Sequence, residues 1–259
     1  MSEFVTARIE VQETAATIAA DRRFVENAVD AIKAARQDVE RQIRKDRFFL
    51  ATLEPYDTES CSSEVTKRMC DAARLAGVGP MAAVAGAIAQ TALEAMVNAG
   101  CRHGWVDNGG DIALILESPA TLEIFSKPGS TAAYAFNVQP VDRIMGICSS
   151  SGRIGHSISF GDSDVAVAIA EDAIVADALA TALGNRVKNK ESLETCFDDL
   201  KSIGALKGGL VMIDDSVAMY GDVPELIEVE HSQARLTVHS SMSSHRFTAA
   251  QGITQGLRA

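Results

Sequence analysis

Three stretches of the sequence gather side chains of the kind that hold anions, metals or protons. In Val106-Asp107-Asn108-Gly109-Gly110-Asp111-Ile112, a paired-glycine turn carries a carboxamide and carboxylates beside it. Paired glycines let backbone N–H groups approach a ligand closely, and the same residues also build an ordinary β-hairpin turn. Asn108, Gly109, Gly110 and Asp111 are therefore candidate ligand contacts with a plain structural alternative. The second stretch is Cys148-Ser149-Ser150-Ser151-Gly152-Arg153-Ile154-Gly155-His156-Ser157, directly after an apolar run. Hydroxyls, free N–H groups and a guanidinium together grip phosphate oxygens, which points to Ser149, Ser150, Ser151, Gly152 and Arg153; an exposed Ser/Gly loop is the alternative. The fixed order of glycines, lysine and hydroxyl that defines a Walker loop is absent. His156 is the candidate general base, although a lone His also serves as a structural donor.

In the third stretch, Ile174-Val175-Ala176-Asp177-Ala178-Leu179-Ala180-Thr181-Ala182-Leu183, Asp177 and Thr181 stand four residues apart on an otherwise apolar helix. That spacing stacks a carboxylate and a hydroxyl on one face, and hard oxygen donors so arranged suit Mg²⁺ or Ca²⁺. Alternatively, the Asp answers the helix dipole and the Thr bonds back to a carbonyl. Asp214-Asp215 reads as a turn, and Gly77-Val78-Gly79-Pro80 as the loop that opens a buried helix.

These residues need elements to hold them. Phe24, Ala28, Ala31, Ile32, Ala35, Val39 and Ile43 recur at helical spacing and predict one long amphipathic helix lying across a sheet. A second helix fits residues 64–76, opened by Ser62 or Ser63 and stopped at Gly77. A third runs from about Met81 to Ala99 and ends at Gly100; its first half has almost no polar face, which implies burial all round. Residues 104–106, 112–116, 121–125, 134–138, 144–148 and 165–169 read as strands. A helix over 174–183 closing on Gly184-Asn185, another over 193–203, and strands over 210–213, 217–220 and 226–229 complete the pattern. Residues 1–230 form the expected body, without a low-complexity linker. Residues 231–259 are richer in Ser, Thr, Gln and His and are expected to dock on the body or on a neighbouring subunit, a hint of a homo-oligomer.

Composition narrows the classes. At 259 residues, 47% hydrophobic and 5% aromatic, the chain can bury a sizeable core. A net charge of −11 argues against nucleic acid, whose binding leans on clustered Lys and Arg. The start, Met1-Ser2-Glu3-Phe4, lacks the basic and apolar regions of a signal peptide, and no uncharged apolar run of the length a membrane needs is expected; the expectation is a cytoplasmic protein without a membrane partner. Five scattered cysteines without a CxxC pair read as reduced, mostly buried thiols.

Taken in order, Gly86, Asn108-Gly109-Gly110-Asp111-Ile112, the Ser-Gly loop and Ala176-Asp177-Ala178-Leu179-Ala180-Thr181-Ala182-Leu183 resemble ApbE, the FAD:protein FMN transferase family. Val78-Gly79-Pro80-Met81-Ala82-Ala83-Val84-Ala85-Gly86, residues 107–112, Ser150-Ser151-Gly152 with Gly155-His156-Ser157, and Ala180-Thr181-Ala182-Leu183-Gly184-Asn185 are more similar still to a cytoplasmic ApbE-like family. The resemblance covers the chain to about residue 230. It implies an α+β ApbE-like fold, a T-fold-like duplication with mixed or antiparallel sheets packed with long helices. It also implies Mg²⁺ at Asp177 and Thr181 beside a FAD pyrophosphate, with Asn108 to Asp111 and Ser149 to Gly152 lining the nucleotide and FMN passed to a Thr of a target protein. The chain departs from ApbE in two places: Ala85 stands where ApbE has a Lys, and the His-x-x-Asp-Pro-x-Thr-Gly segment is reduced to His156-Ser157-Ile158-Ser159-Phe160-Gly161. The resemblance carries a second implication of another class, a ligand sensor or assembly partner associated with sulfur assimilation, specifically sulfide incorporation into homocysteine.

Overall fold

The computed structural model describes residues 3–126, 132–151, 161–230, 236–238 and 245–246. An N-terminal hairpin, β1 (Phe4–Val11) and β2 (Thr14–Asp21), leads into the long helix α1 (Arg22–Lys45) and the short α2 (Phe48–Ala51). Then come α3 (Glu64–Ala76), a 3-10 turn at Pro80–Ala83 and α4 (Val84–Asn98). Strands β3 (Gly104–Asn108), β4 (Asp111–Leu116), β5 (Ala120–Ser126), β6 (Ala132–Val138), β7 (Val141–Ser150) and β8 (Val165–Ala170) precede α5 (Ala173–Arg186). The chain continues through β9 (Gly208–Ile213), β10 (Ser216–Gly221) and β11 (Glu225–Glu230) to β12 (Leu236–Val238) and β13 (His245–Arg246).

Strands β1-β2-β3-β4-β7-β8-β9-β10 form one sheet in that order, and every neighbouring pair is antiparallel. The order reads as two halves, each of two strands, helix, two strands: α1, α3 and α4 interrupt the first half and α5 the second. This is the duplication expected of a T-fold. The strand pair β5-β6 leaves between the halves to build a second antiparallel sheet, β12-β5-β6-β11-β13.

The pleat sorts the core into two layers. One face of the large sheet presents mostly small residues, among them Ala16, Ala20, Ala113, Ala166, Ala168 and Ala170, and the helices lie on it. Small side chains let helix backbones come close to the strands, which suits the Ala-rich α4 and α5. The opposite face presents Trp105, Ile112, Leu114, Ile147, Val167 and Leu210 to Leu122, Phe136 and Val138 of the second sheet.

Several expectations change. The hairpin β1-β2 carries no turn glycine, and the sequence pattern missed it; its turn instead places Gln12 at φ 53° and is held by Arg36 of α1 through Gln12, Glu13 and Thr14. The helix expected over 193–203 is two 3-10 turns, Glu191–Glu194 and Leu200–Ser202. The helix α5 does not close on Gly184-Asn185 but runs to Arg186 and is capped at Val187. Pro80–Asn98 is, by length and composition alone, long and apolar enough to cross a membrane, although Glu94 interrupts it, so it is not the uncharged run whose absence was expected. Its contacts with α1, α5, β3 and β4 make it the central core helix. All five cysteines are free and buried.

Candidate functional site

Asp111 and Asp177 meet where the N-terminus of α4 points at α5. The alternation along β4 sends residues 111, 113 and 115 to the helix side, and Asp111 pairs in register with Cys148 of β7. The sequence Gly109-Gly110 makes the turn that delivers it: both glycines are at positive φ, 75° and 106°, and the Asp107 carboxylate accepts from Gly110 N at 2.8 Å.

Helix α4 begins after a 3-10 turn, and its N-cap, Ala83, has no side chain able to cap it. The cap comes from α5: Asp177 Oδ2 accepts from Gly86 N at 2.8 Å, and Ala85 N also donates to that carboxylate. These are the second and third residues of α4, the positions that an N-cap oxygen ordinarily satisfies. The absence of a side chain at Gly86 permits the approach, since a Cβ there would stand 2.2 Å from Ala173 O and 2.7 Å from Asp177 Cβ. Asn108 adds a bond from its carboxamide N–H to Ala85 O at 3.2 Å, so the glycine turn is pinned to the same helix end.

Electrostatically the corner is crowded. Burial pushes the Asp177 carboxyl up to about 7, against the N–H groups of Gly86 and Ala85 and a hydrogen bond with Asp111, all of which favour the anion. Two carboxyls hydrogen-bonded to each other share a proton. Burial also holds the Cys148 thiol well above the usual range, helped by the nearby Asp111 and Asp177 carboxyls, and its Sγ donates to Ala173 O at 3.3 Å. Cys148 is thus a buried, protonated wall of the site.

The orientation of α5 is set from its first turn. Its N-cap Asp172 accepts from Ile174 N at 2.7 Å and from Arg68 Nη2 at 2.8 Å; Arg68 also forks onto both oxygens of Glu94 at 2.8 and 2.9 Å. Gln90 accepts from Ala173 N at 2.9 Å and donates to Glu94 at 2.9 Å. Arg68, Gln90, Glu94 and Asp172 thereby tie α3, α4 and α5 together, a network that sequence reading missed. Its only signal was Gln90 and Glu94 standing on an apolar helix.

The expected residues are only partly brought together. Asn108, Gly109, Gly110, Asp111 and Asp177 converge as described. Thr181 is half-buried one turn along α5, about 6 Å further along the axis. Ser149 and Ser150 are not loop residues: they end β7, where Ser149 donates from its backbone N and its Oγ to Gly110 O at 3.1 and 3.2 Å, and Ser150 is buried. The alternation of β7 puts Ser150 on the helix side and Ser149 on the other, so the two hydroxyls cannot grip one phosphate together. Ser151 follows the strand, while Gly152, Arg153 and His156 lie outside the described residues. Beside Gly110, Cys148 and Ser149 a cavity of about 10 Å³ opens toward Leu122 and Ile124 of the second sheet, room for one water.

The donor set fits a hard cation of the Mg²⁺ kind. Two buried carboxyls in contact call for a proton or a cation between them. Among the described residues no cluster of three or more His, Cys, Asp or Glu side chains suits a metal, which excludes a closed all-carboxylate or thiolate cage there. Mg²⁺ ordinarily takes one or two carboxylates and completes its shell with water and ligand phosphates.

Comparison with known proteins places the fold in a class. The apo form of the flavinyl transferase ApbE from Pseudomonas stutzeri superposes with a TM-score of 0.56 at 12% identity, covering 85% of this chain and 94% of that one. A variant of the flavin transferase ApbE from Vibrio cholerae gives 0.54 at 13% identity, covering 85% and 97%. The fold is therefore that of the ApbE flavin transferases. A family model described as AbpE bacteria matches residues 2–200, and the chain belongs to that family. Relatives named UPF0280 protein are 42% identical over 232 residues in Methanocella arvoryzae (90% of this chain, 95% of the relative) and 42% over 235 residues in Archaeoglobus fulgidus (89% and 97%).

Proposed function

We propose that this protein binds a flavin nucleotide of the FAD class together with a divalent cation, at the corner formed by Asp111, Asp177 and the N-terminus of α4. The observation that carries the reading is the buried contact between Asp111 and Asp177 against the N–H groups of Ala85 and Gly86. Mg²⁺ bound there would supply positive charge for a pyrophosphate. Asp111 and Asp177 would hold it, with the Thr181 hydroxyl as a further oxygen donor. Asn108, Gly109 and Gly110 present the turn to the nucleotide, Ser151, Gly152 and Arg153 bind phosphate, and His156 serves as base. The reaction class is FMN transfer or other pyrophosphate chemistry on a nucleotide, in the cytoplasm, by a homo-oligomer or with a protein partner.

One observation favours a second reading, a ligand sensor or assembly partner in sulfur assimilation. The turn and helix end are already satisfied internally: Asp107 caps Gly110, Asn108 bonds Ala85 O, and Asp177 occupies the α4 amides. Ala85 also stands where ApbE has a lysine.

Calorimetric titration of FAD, with and without Mg²⁺, into the protein and its Asp177→Asn variant separates the two. The amide of Asn keeps an acceptor for Gly86 N, so the helix cap survives while the charge is lost. Tight, Mg²⁺-dependent binding weakened at least tenfold in the variant supports the nucleotide reading. No heat under any condition, with a second protein co-purifying, supports the partner reading.

A further inference from the structure

Away from this corner, two thiols face each other. Cys61 follows the 3-10 turn Thr58–Ser60, Cys70 lies in α3, and their Sγ atoms are 2.9 Å apart in the buried core. The chain on both sides of Cys61 is anchored by Gln42 of α1, itself fully buried. Gln42 donates to Ser60 O at 3.2 Å and accepts from Ser62 N at 3.0 Å and Ser62 Oγ at 2.7 Å. The next residue, Ser63, opens α3 with a reciprocal capping pair to Thr66. Both sulfurs are therefore presented by fixed backbone. Cys61 also donates to Asp57 O at 3.8 Å, as Cys101, Cys148 and Cys196 donate to the backbone carbonyls of His103, Ala173 and Leu193; what sets Cys61 and Cys70 apart is the contact between their sulfurs.

Disulfide sulfurs stand about 2.05 Å apart, so the pair must close by under about 1 Å, within reach of side-chain rotation. We propose that Cys61 and Cys70 are a modification site that forms a reversible disulfide, with a peroxide as oxidant. Cys61, slightly exposed at 6% where Cys70 is 0%, reacts first. Its sulfur attacks one peroxide oxygen, the O–O bond breaks, and water leaves with the thiol proton, giving a sulfenic acid. The Cys70 sulfur attacks that sulfur, the S–O bond breaks, and a second water leaves with the Cys70 proton. The two thiols lose two electrons and the peroxide gains them. Burial and the adjacent Cys61 sulfur hold the Cys70 thiol protonated, so its proton must leave as its sulfur attacks, and the 2.9 Å approach to Cys61 is what makes Cys70 the resolving thiol. The bond fastens the connection from α1 onto α3, the helix whose Arg68 holds Asp172 at the start of α5.

The test treats native protein with hydrogen peroxide, alkylates it under denaturing conditions and digests it without reductant. The expected result is a loss of two of the five thiols, a mass lower by about 2 Da and one linked peptide joining Cys61 to Cys70, all reversed by dithiothreitol. Cys61→Ser and Cys70→Ser abolish the link and Cys196→Ser leaves it. Closing this loop without strain raises the melting temperature by roughly 5 °C. Five thiols surviving a dose that fully oxidises the unfolded chain, a link through another pair, or an oxidised form that melts below the reduced one overturns the proposal.

Discussion

Asp177 shows how one buried side chain can cap a neighbouring helix and hold a proton at once. Its carboxyl rises from 3.8 to about 7 on folding, because desolvation outweighs two backbone N–H groups and Asp111. The folded state thus holds a proton that the unfolded chain has released, so this residue's contribution to stability is complete below about pH 4 and is lost as pH rises toward 7. Urea midpoints of the protein and of Asp177→Asn, compared near pH 5 and near pH 8 without divalent cations, should diverge, with the wild type losing more than about 1 kcal/mol relative to the variant across the interval. Parallel pH dependence in the two proteins would show that Asp177 does not titrate in this window.

The elements matter through how closely α4 and α5 cross. Gly86 sits against Ala173 O and Asp177 Cβ with no space for a methyl group. Replacing it by Ala gains up to about 1 kcal/mol of helix propensity, yet overpacking in a closed core costs about 1–3 kcal/mol and here also displaces the carboxylate that caps α4. Gly86→Ala should therefore be net destabilising by about 1–2 kcal/mol in chemical denaturation. Gly204→Ala, where a Cβ meets nothing within 4 Å, should change stability little. If both substitutions prove neutral, the helices are not in the contact described.

At the scale of the whole molecule, residues beyond Glu230 close the second sheet. Strand β12 pairs with β5 at one edge and β13 with β11 at the other, so the C-terminal segment supplies both outer strands. Open edges recruit other chains. Truncation after Glu230 should lower the melting temperature by roughly 5 °C and introduce concentration-dependent light scattering. An unchanged melting curve and clear solutions would show that these pairings contribute nothing measurable.

What the sequence determined by itself was local. A serine cap at 62 or 63 and the Gly77 stop bounded α3 at the residues observed, and short apolar runs between turn residues marked β4 and β8, because caps and apolar runs act over a few residues. The order of Gly86, the paired glycines, and Asp177 with Thr181 was enough to suggest the ApbE-like fold. Tertiary structure alone decided that Asp177 caps α4, that Asp111 touches it, that Cys148 closes the corner, that Ser149 and Ser150 face opposite sides of β7, and that Arg68 aligns three helices. These contacts join residues far apart in the chain, and their cost and benefit arise only when water is excluded from the place where they meet.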